Sequence, residues 1–391
     1  MLSRFSGKVV LMRRYIEIKN PLEEEVRKRL EVRNDFKSLR IKKLLNLPDL
    51  TKKPNSPVQF LVDAILSLPR FKDFDIVDFP RIVTLEENFD LLNTPKDHPS
   101  RRETDTFYVD ENHVLRTQMT DMWSFYLKDR EVLKRVESEG EVKALSYGIV
   151  YRKDEIDRNH YPAFHQIDGL YVCKRLKKVI TEDDLKEVQI ELAKSIFGNE
   201  IEYKFLVDTF PFTDPSVEMD IKFNNEWLEV NGAGLVHPQV LRNFGLDPAT
   251  YNGWAFGFGD RLAMIKMGIN DIRVLWSEDP RITKQFRDID SKYTPVSKYP
   301  PVVRDISFIV GKDMKLNNYY EIVRDIAGNL IEEVKMTDTY EDAKKFGADK
   351  VSYTFRIVYR SPERTLTNKE VNAIHDAIQQ KTISLLGAVV R

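Results

Sequence analysis

The sequence predicts an α+β fold in which an antiparallel sheet carries the larger part of the chain. Strand patterns at 202–209, 217–223 and 226–230 follow one another with few helices between them, and Asn224 and Asn225 are typical of a hairpin turn between the last two. No G-x-G-x-x-G sequence follows a strand, which argues against a Rossmann core. The 391 residues, of which 42% are apolar and 31% charged, have room for one large domain and one or two small ones.

Helices are indicated by apolar periodicity and by capping residues. Residues 57–68 form a short amphipathic pattern, 74–81 an extended segment and 122–139 a longer helix. Thr181, which is followed by acids in the first turn, is a good N-cap for a helix that ends near Gly198. We expect these helices to flank the sheet.

Residues 299–391 are predicted to form a separate unit. Their pattern is strand, helix, strand, strand, helix and a short terminal strand. This order is that of the ferredoxin-like split β-α-β fold. The preceding residues, 281–298, lead into this unit through a Pro-rich junction and predict a stiff linker.

Composition excludes several classes of protein. No segment approaches the roughly 18 uninterrupted apolar residues that a membrane span needs, so we expect no membrane association. Cys173 is the only cysteine, which excludes an intramolecular disulfide and a thiolate zinc cluster. The six histidines have no HExxH-type spacing. Catalysis would therefore depend on positioned charges and on a soluble metal ion such as magnesium.

Residues 1–55 form a basic extension that is predicted to be helical. Lysines and arginines outnumber acids about two to one there and recur with helical spacing. This pattern fits either a solvated helix face or an arm that contacts phosphates and makes binding salt-dependent. Residues 1–15 contain bases and no acid, as in a mitochondrial presequence, but Glu17 and the acids at 23–25 end that pattern. We therefore predict a cytoplasmic location, with the mitochondrial matrix as the alternative.

The most informative segment is 147–169, YGIVYRKDEIDRNHYPAFHQIDG, which predicts two strands joined by a charged loop. Phe164, Gln166 and Asp168 occupy every second position, so they share one face of the second strand. A ring can stack on a base, an arginine such as Arg152 can hold a phosphate, and an amide beside an acid can bind an ammonium group. Together these groups outline an aminoacyl-adenylate site, whereas a solvated hairpin with ordinary surface charges is the alternative.

This segment resembles motif 2 of class II aminoacyl-tRNA synthetases, in the FHQ-acid form that is particular to phenylalanyl-tRNA synthetases. Further segments resemble that family in the same order: NFDLLNTPKDHPSRRETDTFY at 88–108, FPFTDPSVEMD at 210–220, WLEVNGAGLVHPQVL with GWAFGFGDRLAM at 227–264, and SKYPPVVRDISFIV at 297–310. The resemblance covers about 45–391. It implies a class II synthetase antiparallel sheet flanked by helices at 56–280 and an anticodon-binding domain at 299–391, as in single-chain, mitochondrial-type enzymes.

The resemblance implies a phenylalanine–tRNA ligase that activates phenylalanine with ATP and transfers it to the 3′ terminal ribose of tRNA(Phe). The expected partners are phenylalanine, ATP and tRNA(Phe), with Mg²⁺ as cofactor, and the expected state is a monomer. Removal of 299–391 is expected to leave adenylate formation largely intact, because no implied ATP or amino-acid ligand lies beyond Arg261. The alternatives are a synthetase-derived protein that binds tRNA or an amino acid without charging, and an enzyme that adenylates a different amino acid.

The resemblance also implies roles for individual ATP-binding residues. Arg152 would neutralise the α-phosphate and Arg261 would hold the γ-phosphate, and these two are the implied catalytic residues. His160 would approach the phosphates and Phe164 would stack on adenine. Glu229 would position ATP and contribute to the binding of Mg²⁺.

The amino-acid pocket is implied by the same comparison. It would combine polar groups for the ammonium, a pair of rings for the side chain and small residues at the floor. The implied residues are Thr120, Gln166, Asp168, Phe210, Phe212, Ala255 and Gly257.

Several positions depart from the family pattern. Gln118 and Thr120 stand where the family has histidine and serine, and Asp168 replaces a glutamate, which shortens its reach by about one methylene. Motif 3 is one residue shorter at 257–261. Such a deletion rotates the following helix by about 100 degrees unless the turn absorbs it. Arg261 is therefore the assignment that depends most on the local backbone.

Overall fold

The computed structural model describes residues 13–295, 299–361 and 363–391, together with the backbone of two short paired strands, β1 (Arg4–Phe5) and β2 (Lys8–Val9). Parts of the predicted extension and linker, including 296–298, lie outside the described residues.

The chain forms two compact units. The N-terminal unit contains 1–151, 163–269 and 286–292, and the C-terminal unit contains 152–162, 270–285 and 293–391. This division cuts across the predicted catalytic domain, because the loop after the first strand of the motif 2 hairpin packs in the C-terminal unit.

An eight-stranded sheet is the centre of the N-terminal unit. Its strands are β3 (Tyr15–Glu17), β4 (Asp75–Asp78), β7 (Glu141–Tyr151), β8 (Ala163–Lys174), β9 (Glu202–Phe210), β10 (Thr213–Phe223), β11 (Glu226–Val236) and β12 (Tyr251–Gly259). Two further strands, β5 (Ile82–Thr84) and β6 (His113–Leu115), form a separate pair. The order is β3-β4-β7-β8-β12-β11-β10-β9. From β7 to β9 every pairing is antiparallel, as predicted, whereas β3, β4 and β7 are parallel.

The helices of this unit are α1 (Pro21–Glu31), α2 (Phe36–Leu45), α3 (Pro57–Leu66), α4 (Met122–Tyr126), α5 (Arg130–Glu139), α6 (Glu182–Phe197), α7 (Pro238–Asn243) and α8 (Arg261–Met267). Thr181 forms the capping box that begins α6, and Gly198 ends it, as predicted. The single helix predicted at 122–139 is wrong. The chain instead forms two helices, because the Asp129 side chain accepts from the backbone N–H groups of Glu131 and Val132 and starts a new one.

The predicted hairpin turn is confirmed. Asn224 and Asn225, at φ 51° and 65°, both adopt the left-handed conformation that a tight two-residue hairpin requires. Each face of the large sheet then packs into its own apolar core. Trp254 and Phe256 lie in the core that contains α6 residues, whereas Ala255 lies in the opposite core with Trp123.

The N-terminal extension is part of the N-terminal unit. Strand β3 extends the large sheet, and Asn20 and Asp35 cap α1 and α2. The Arg33 guanidinium donates to the carbonyl oxygen of Val109 at 3.0 Å. Some of the basic charge in this segment therefore holds the extension against the segment that precedes β6.

The C-terminal unit has the predicted ferredoxin-like order. Its elements are α9 (Pro280–Thr283), β13 (Val302–Gly311), α10 (Leu316–Ala327), β14 (Ile331–Tyr340), β15 (Lys350–Tyr359), α11 (Asn368–Leu386) and β16 (Val389–Val390). The sheet order is β14-β15-β13-β16, and Phe308, Tyr319 and Phe355 form the centre of its core. The ferredoxin-like prediction is confirmed.

The loop 152–162 is built into this C-terminal unit. Ile156 is buried in its core, and the carbonyl oxygen of Ile156 accepts from the backbone N–H of Val334 in β14 at 3.2 Å. The Asn317 side chain donates to the carbonyl oxygen of Lys153 at 2.7 Å. Two of the loop's backbone carbonyl groups thus bond to residues far away in the sequence.

Arginines complete the attachment of this loop. Arg324 of α10 donates to the carbonyl oxygens of Asp154 and Glu155. Arg158 forms an ion pair with the nearly buried Glu332 of β14. Arg360 pairs with the same carboxylate, so the buried Glu332 ties the loop end and the residue that follows β15 to β14.

Candidate active site

One row of residues crosses the large sheet and defines the floor of the predicted pocket. Asp168 of β8 lies opposite Gly257 of β12, Gly257 lies opposite Gly232 of β11, and Gly232 lies opposite Glu218 of β10. Residues directly opposite on neighbouring antiparallel strands project from the same face. The sheet therefore presents an acid at each end of the row and two glycines between them.

The two glycines keep this floor open. A Cβ atom on Gly257 would lie 3.2 Å from the Asp168 Oδ2 atom, and one on Gly232 would lie 2.6 Å from the ring of Phe210. Side chains at these positions would therefore push against the predicted ammonium ligand and the predicted ring wall. Ala255 belongs to the next row, where it lies opposite Gly234.

Asp168 is held by two neutral donors. The Thr120 hydroxyl donates to Oδ2 at 2.8 Å, and the Trp123 indole N–H donates to Oδ1 at 3.2 Å. Burial raises the pKa of Asp168 to about 7, and these two hydrogen bonds offset part of that effect. Each carboxylate oxygen keeps a further lone pair, so the group can still accept from a ligand ammonium.

Gln166 lies on the same face of β8 as Asp168. Its side-chain oxygen accepts from the backbone N–H of Met119 at 3.1 Å, so the segment that carries Thr120 is bonded to β8 at two points. Phe164 lies two residues before Gln166 and is partly buried against the neighbouring core. The predicted alternation of Phe164, Gln166 and Asp168 along this strand agrees with their pairing to β7.

Phe210 and Phe212 form one aromatic wall. Their rings are parallel within 6°, with centroids 5.8 Å apart. Since stacked carbon atoms lie about 3.5–4.0 Å apart, a third ring would need a gap of about 7 Å between them. A substrate ring is thus expected to meet the edges of this pair, because the two rings leave no gap for a third ring between them. Trp123 packs on Phe212 edge to face, at 80° and 5.8 Å.

In motif 3, strand β12 is followed by helix α8 with only Asp260 between them. The backbone N–H of Asp260 donates to the carbonyl oxygen of His165 at 2.9 Å, and its carboxylate accepts from the backbone N–H of His165 at 3.0 Å. These bonds continue the pairing of β12 with β8 by one residue. Arg261 then begins α8 with an exposed side chain. The shortened motif therefore still presents this arginine to solvent at the helix start.

His165 is a buried residue whose structural role the sequence did not reveal. Its Nε2 atom accepts from the backbone N–H of Leu50 at 3.0 Å, which leaves the proton on Nδ1, 3.3 Å from the Asp260 carboxylate. His165 therefore connects the start of motif 3 to the segment before α3. Because successive side chains of a strand point to opposite faces, the sequence does indicate that His165 points away from the face that carries Gln166.

Glu229 lies in an acidic part of the sheet. It is exposed and lies opposite Asp220 on the neighbouring strand. Burial, followed by the charges of Glu229 and Asp220, raises the pKa of Glu218 to about 7. Oxygen donors of this kind suit Mg²⁺. Among the described residues, no group of three or more histidine, cysteine, aspartate or glutamate side chains is arranged to hold a metal ion by itself.

Arg152 and His160 both lie in the loop that packs in the C-terminal unit. Arg152 directly follows β7, and its backbone N–H donates to the carbonyl oxygen of Pro162 at 3.2 Å. The His160 ring bonds to the Asp157 carboxylate at 2.8 Å, and this bond raises the pKa of His160. A more basic imidazole is better suited to contact a phosphate.

Trp123 and Gly232 adjoin the predicted pocket residues Asp168 and Phe210, although the sequence indicates no site role for either. Trp123 falls within the helix predicted at 122–139, and its spacing of three residues from Thr120 is typical of side chains on the same face of a helical turn. Gly232 was visible only as part of WLEVNGAGLVHPQVL. Neither the bond from Trp123 to Asp168 nor the contact between Gly232 and Phe210 has a local signature.

Comparisons with known proteins agree with this geometry. The family model of tRNA synthetases class II core domain (F) matches 45–286, and that of the ferredoxin-fold anticodon binding domain matches 297–391. The mitochondrial phenylalanine–tRNA ligase of Mus musculus is 37% identical, covering 82% of this chain and 75% of the relative. The chloroplastic/mitochondrial enzyme of Arabidopsis thaliana is also 37% identical, covering 88% and 80%.

The alpha subunit of phenylalanine–tRNA ligase from Clostridium botulinum (strain Langeland) is 37% identical, but covers only 69% of this chain and 82% of its own length. An antiparallel sheet with these motifs and a ferredoxin-fold domain define a class II tRNA synthetase. The chain belongs to the phenylalanine–tRNA ligase family within that class.

Within the described part of the chain, no helix is both long and apolar enough to cross a membrane.

Proposed function

We propose that this chain is an active phenylalanine–tRNA ligase. The observation that carries the proposal is the row Asp168, Gly257 and Gly232 beneath the wall of Phe210 and Phe212. It combines an ammonium ligand, an open floor and an aromatic wall in one place. A pocket of this composition suits an amino acid with a phenyl side chain.

The first step joins phenylalanine to AMP. A carboxylate oxygen of phenylalanine forms a bond to the α-phosphorus of ATP, and the bond from that phosphorus to the bridging oxygen breaks, which releases pyrophosphate. Arg152 would neutralise charge at the α-phosphate and Arg261 at the γ-phosphate. Because the reactants are already activated, positioning and charge neutralisation supply most of the rate.

The remaining ATP contacts follow from the same proposal. Phe164 would stack on adenine, and His160, with its raised pKa, would contact the phosphates. Glu229 would help to hold Mg²⁺, which supplies positive charge to the phosphate oxygens when bound. In the second step, a hydroxyl of the terminal tRNA ribose attacks the acyl carbon and AMP leaves.

Charging of tRNA(Phe) with labelled phenylalanine tests this proposal directly. We expect ATP-dependent formation of an ester-linked product that alkaline treatment releases. Binding of tRNA or phenylalanine without any charged product would instead support the alternative, a synthetase-derived binding protein. We further propose that the chain acts as a monomer, which sedimentation at micromolar concentration tests. The cytoplasmic location stays a prediction, while two of the relatives are organellar forms.

The affinity for phenylalanine is expected to depend on pH through Asp168. Protonated Asp168 cannot attract the ammonium, and its pKa of about 7 means that affinity increases as pH rises through neutrality. The KM for phenylalanine should therefore be about tenfold higher at pH 6 than at pH 8. Pyrophosphate exchange at both pH values measures this ratio, with the KM for ATP as the control. Asp168→Asn should remove the pH dependence, and an unchanged profile in that variant would exclude Asp168 as its origin.

Ring size is expected to be limited by Ala255. Ala255→Gly removes the buried methyl group at the floor, so the variant should admit phenylalanine carrying a para-chloro group. Ala233→Gly is the matched control, because Ala233 lies opposite Phe256 and faces the other core. Exchange assays should show improved use of the chlorinated substrate for Ala255→Gly alone. Equal selectivity in the two variants would remove Ala255 from the pocket.

A further inference from the structure

Trp123 occupies a position between the two halves of the amino-acid pocket. It lies in α4 and is fully buried. Its indole N–H reaches one oxygen of Asp168 at 3.2 Å, while its ring meets Phe212 edge to face at 5.8 Å. One side chain thus touches both the predicted ammonium ligand and the predicted ring wall.

The surroundings of Trp123 fix it in place. All five residues of α4 are buried, and the preceding turn is bonded to β8 through Gln166 and through Thr120. The indole has only two rotatable bonds, so little conformational freedom remains to be lost when a ligand binds. The distance between the carboxylate of Asp168 and the ring of Phe212 is therefore set largely by this residue.

We propose that Trp123 is a positioning residue that couples recognition of the ammonium to recognition of the aromatic ring. It selects α-amino acids whose ring is one carbon away from the α-carbon, because the indole fixes the separation between Asp168 and the aromatic wall. This inference rests on the proposed function, in which Asp168 binds the substrate ammonium.

The charge state of Asp168 provides an independent readout. Its neighbours across the sheet, Ser146 on β7 and Gly257 on β12, carry no charge. On the segment before and within α4 it faces Thr120, Trp123 and the buried acid Asp121, whose pKa is raised by burial and further by the charge of Asp168. Among the described residues, Thr120 would then be the remaining side-chain donor to Asp168 once the indole N–H is removed. With one hydrogen bond fewer to its charged form, the carboxylate is harder to ionise and its pKa rises.

The test is Trp123→Phe, which keeps a ring and removes the N–H group. In pyrophosphate exchange we expect the KM for phenylalanine to rise about ten- to hundredfold, as for loss of a hydrogen bond to a charged group. The pH midpoint of that KM should move to higher pH. The KM for ATP should change by less than about threefold, because the adenine and phosphate ligands are untouched. Trp254→Phe, a buried tryptophan on the other face of the sheet, is the matched control and should leave all three values unchanged.

An isosteric replacement protects the test against misfolding. Benzothienylalanine at position 123 keeps the shape of the indole and replaces the N–H by sulfur, so it should reproduce the shift in pH midpoint. An unchanged phenylalanine KM and midpoint in that protein would overturn the proposal, as would an equal rise in the KM for ATP. Failure of the proposed function is distinguishable, because the unsubstituted protein would then support no phenylalanine-dependent exchange at all.

Discussion

Replacement of Arg152 by alanine is expected to lower phenylalanine-dependent pyrophosphate exchange by about 100- to 1,000-fold. Loss of one positioned charge at a developing negative centre costs roughly 3 to 4 kcal/mol in the transition state. The effect should be on kcat more than on the KM for phenylalanine, because Arg152 lies in the loop and not among the pocket residues. Arg152→Lys should recover part of the rate, since it restores the charge but not the bidentate geometry.

Arg130→Ala is the matched control for this experiment. Arg130 is exposed at the start of α5 and belongs to none of the proposed ligands. Its removal should leave exchange within about twofold of the unsubstituted enzyme, as is usual for surface positions. Near-normal exchange by Arg152→Ala would contradict the motif 2 assignment.

Removal of residues 299–391 is expected to abolish most adenylate formation. The loop that carries Arg152 and His160 buries Ile156 in the core of this unit and bonds to Val334 and Asn317. A chain that ends at 298 lacks that core and both partners, so the loop loses its fixed conformation. Effective catalysis requires charges that are already positioned, and disorder in the loop removes that advantage. The exchange rate of the truncated chain should therefore fall by more than about 100-fold even where its circular dichroism shows a folded sheet.

A point variant tests the same idea within the intact protein. Asn317→Ala removes the donor to the carbonyl oxygen of Lys153 and should lower exchange without unfolding the unit, because Asn317 is an uncharged, partly buried side chain. Arg356→Ala breaks an exposed ion pair with Asp305 in the same unit and should have no effect on exchange. Full exchange activity in the truncated chain would restore the expectation drawn from the sequence, that the C-terminal domain serves tRNA binding alone.

The strands of the site could be predicted because their signals are local. Alternation places Phe164, Gln166 and Asp168 on one face, and the pair Asn224 and Asn225 determines a turn through its own backbone preferences. The ferredoxin-like order follows from similar patterns. In each case a few neighbouring residues carry the information.

The parts that could not be predicted depend on contacts between distant segments. The parallel pairing of β3 with β4 and the attachment of the loop at Asn317 and Arg324 join segments without any local signature. The bond from Trp123 to Asp168 is of the same kind. By contrast, the break between α4 and α5 was legible, since Asp129 is a strong N-cap inside the helical pattern.

The most direct measurement of the central claim is ATP–pyrophosphate exchange with each of the twenty amino acids in turn. We expect phenylalanine to support exchange far above the others, with tyrosine as the main competitor, because a pocket of rings and an alanine floor rejects one added hydroxyl only weakly. Exchange driven by a different amino acid would show that the pocket has another substrate. Absence of exchange with all twenty, in a folded protein supplied with ATP and Mg²⁺, would contradict the claim that this chain is a ligase.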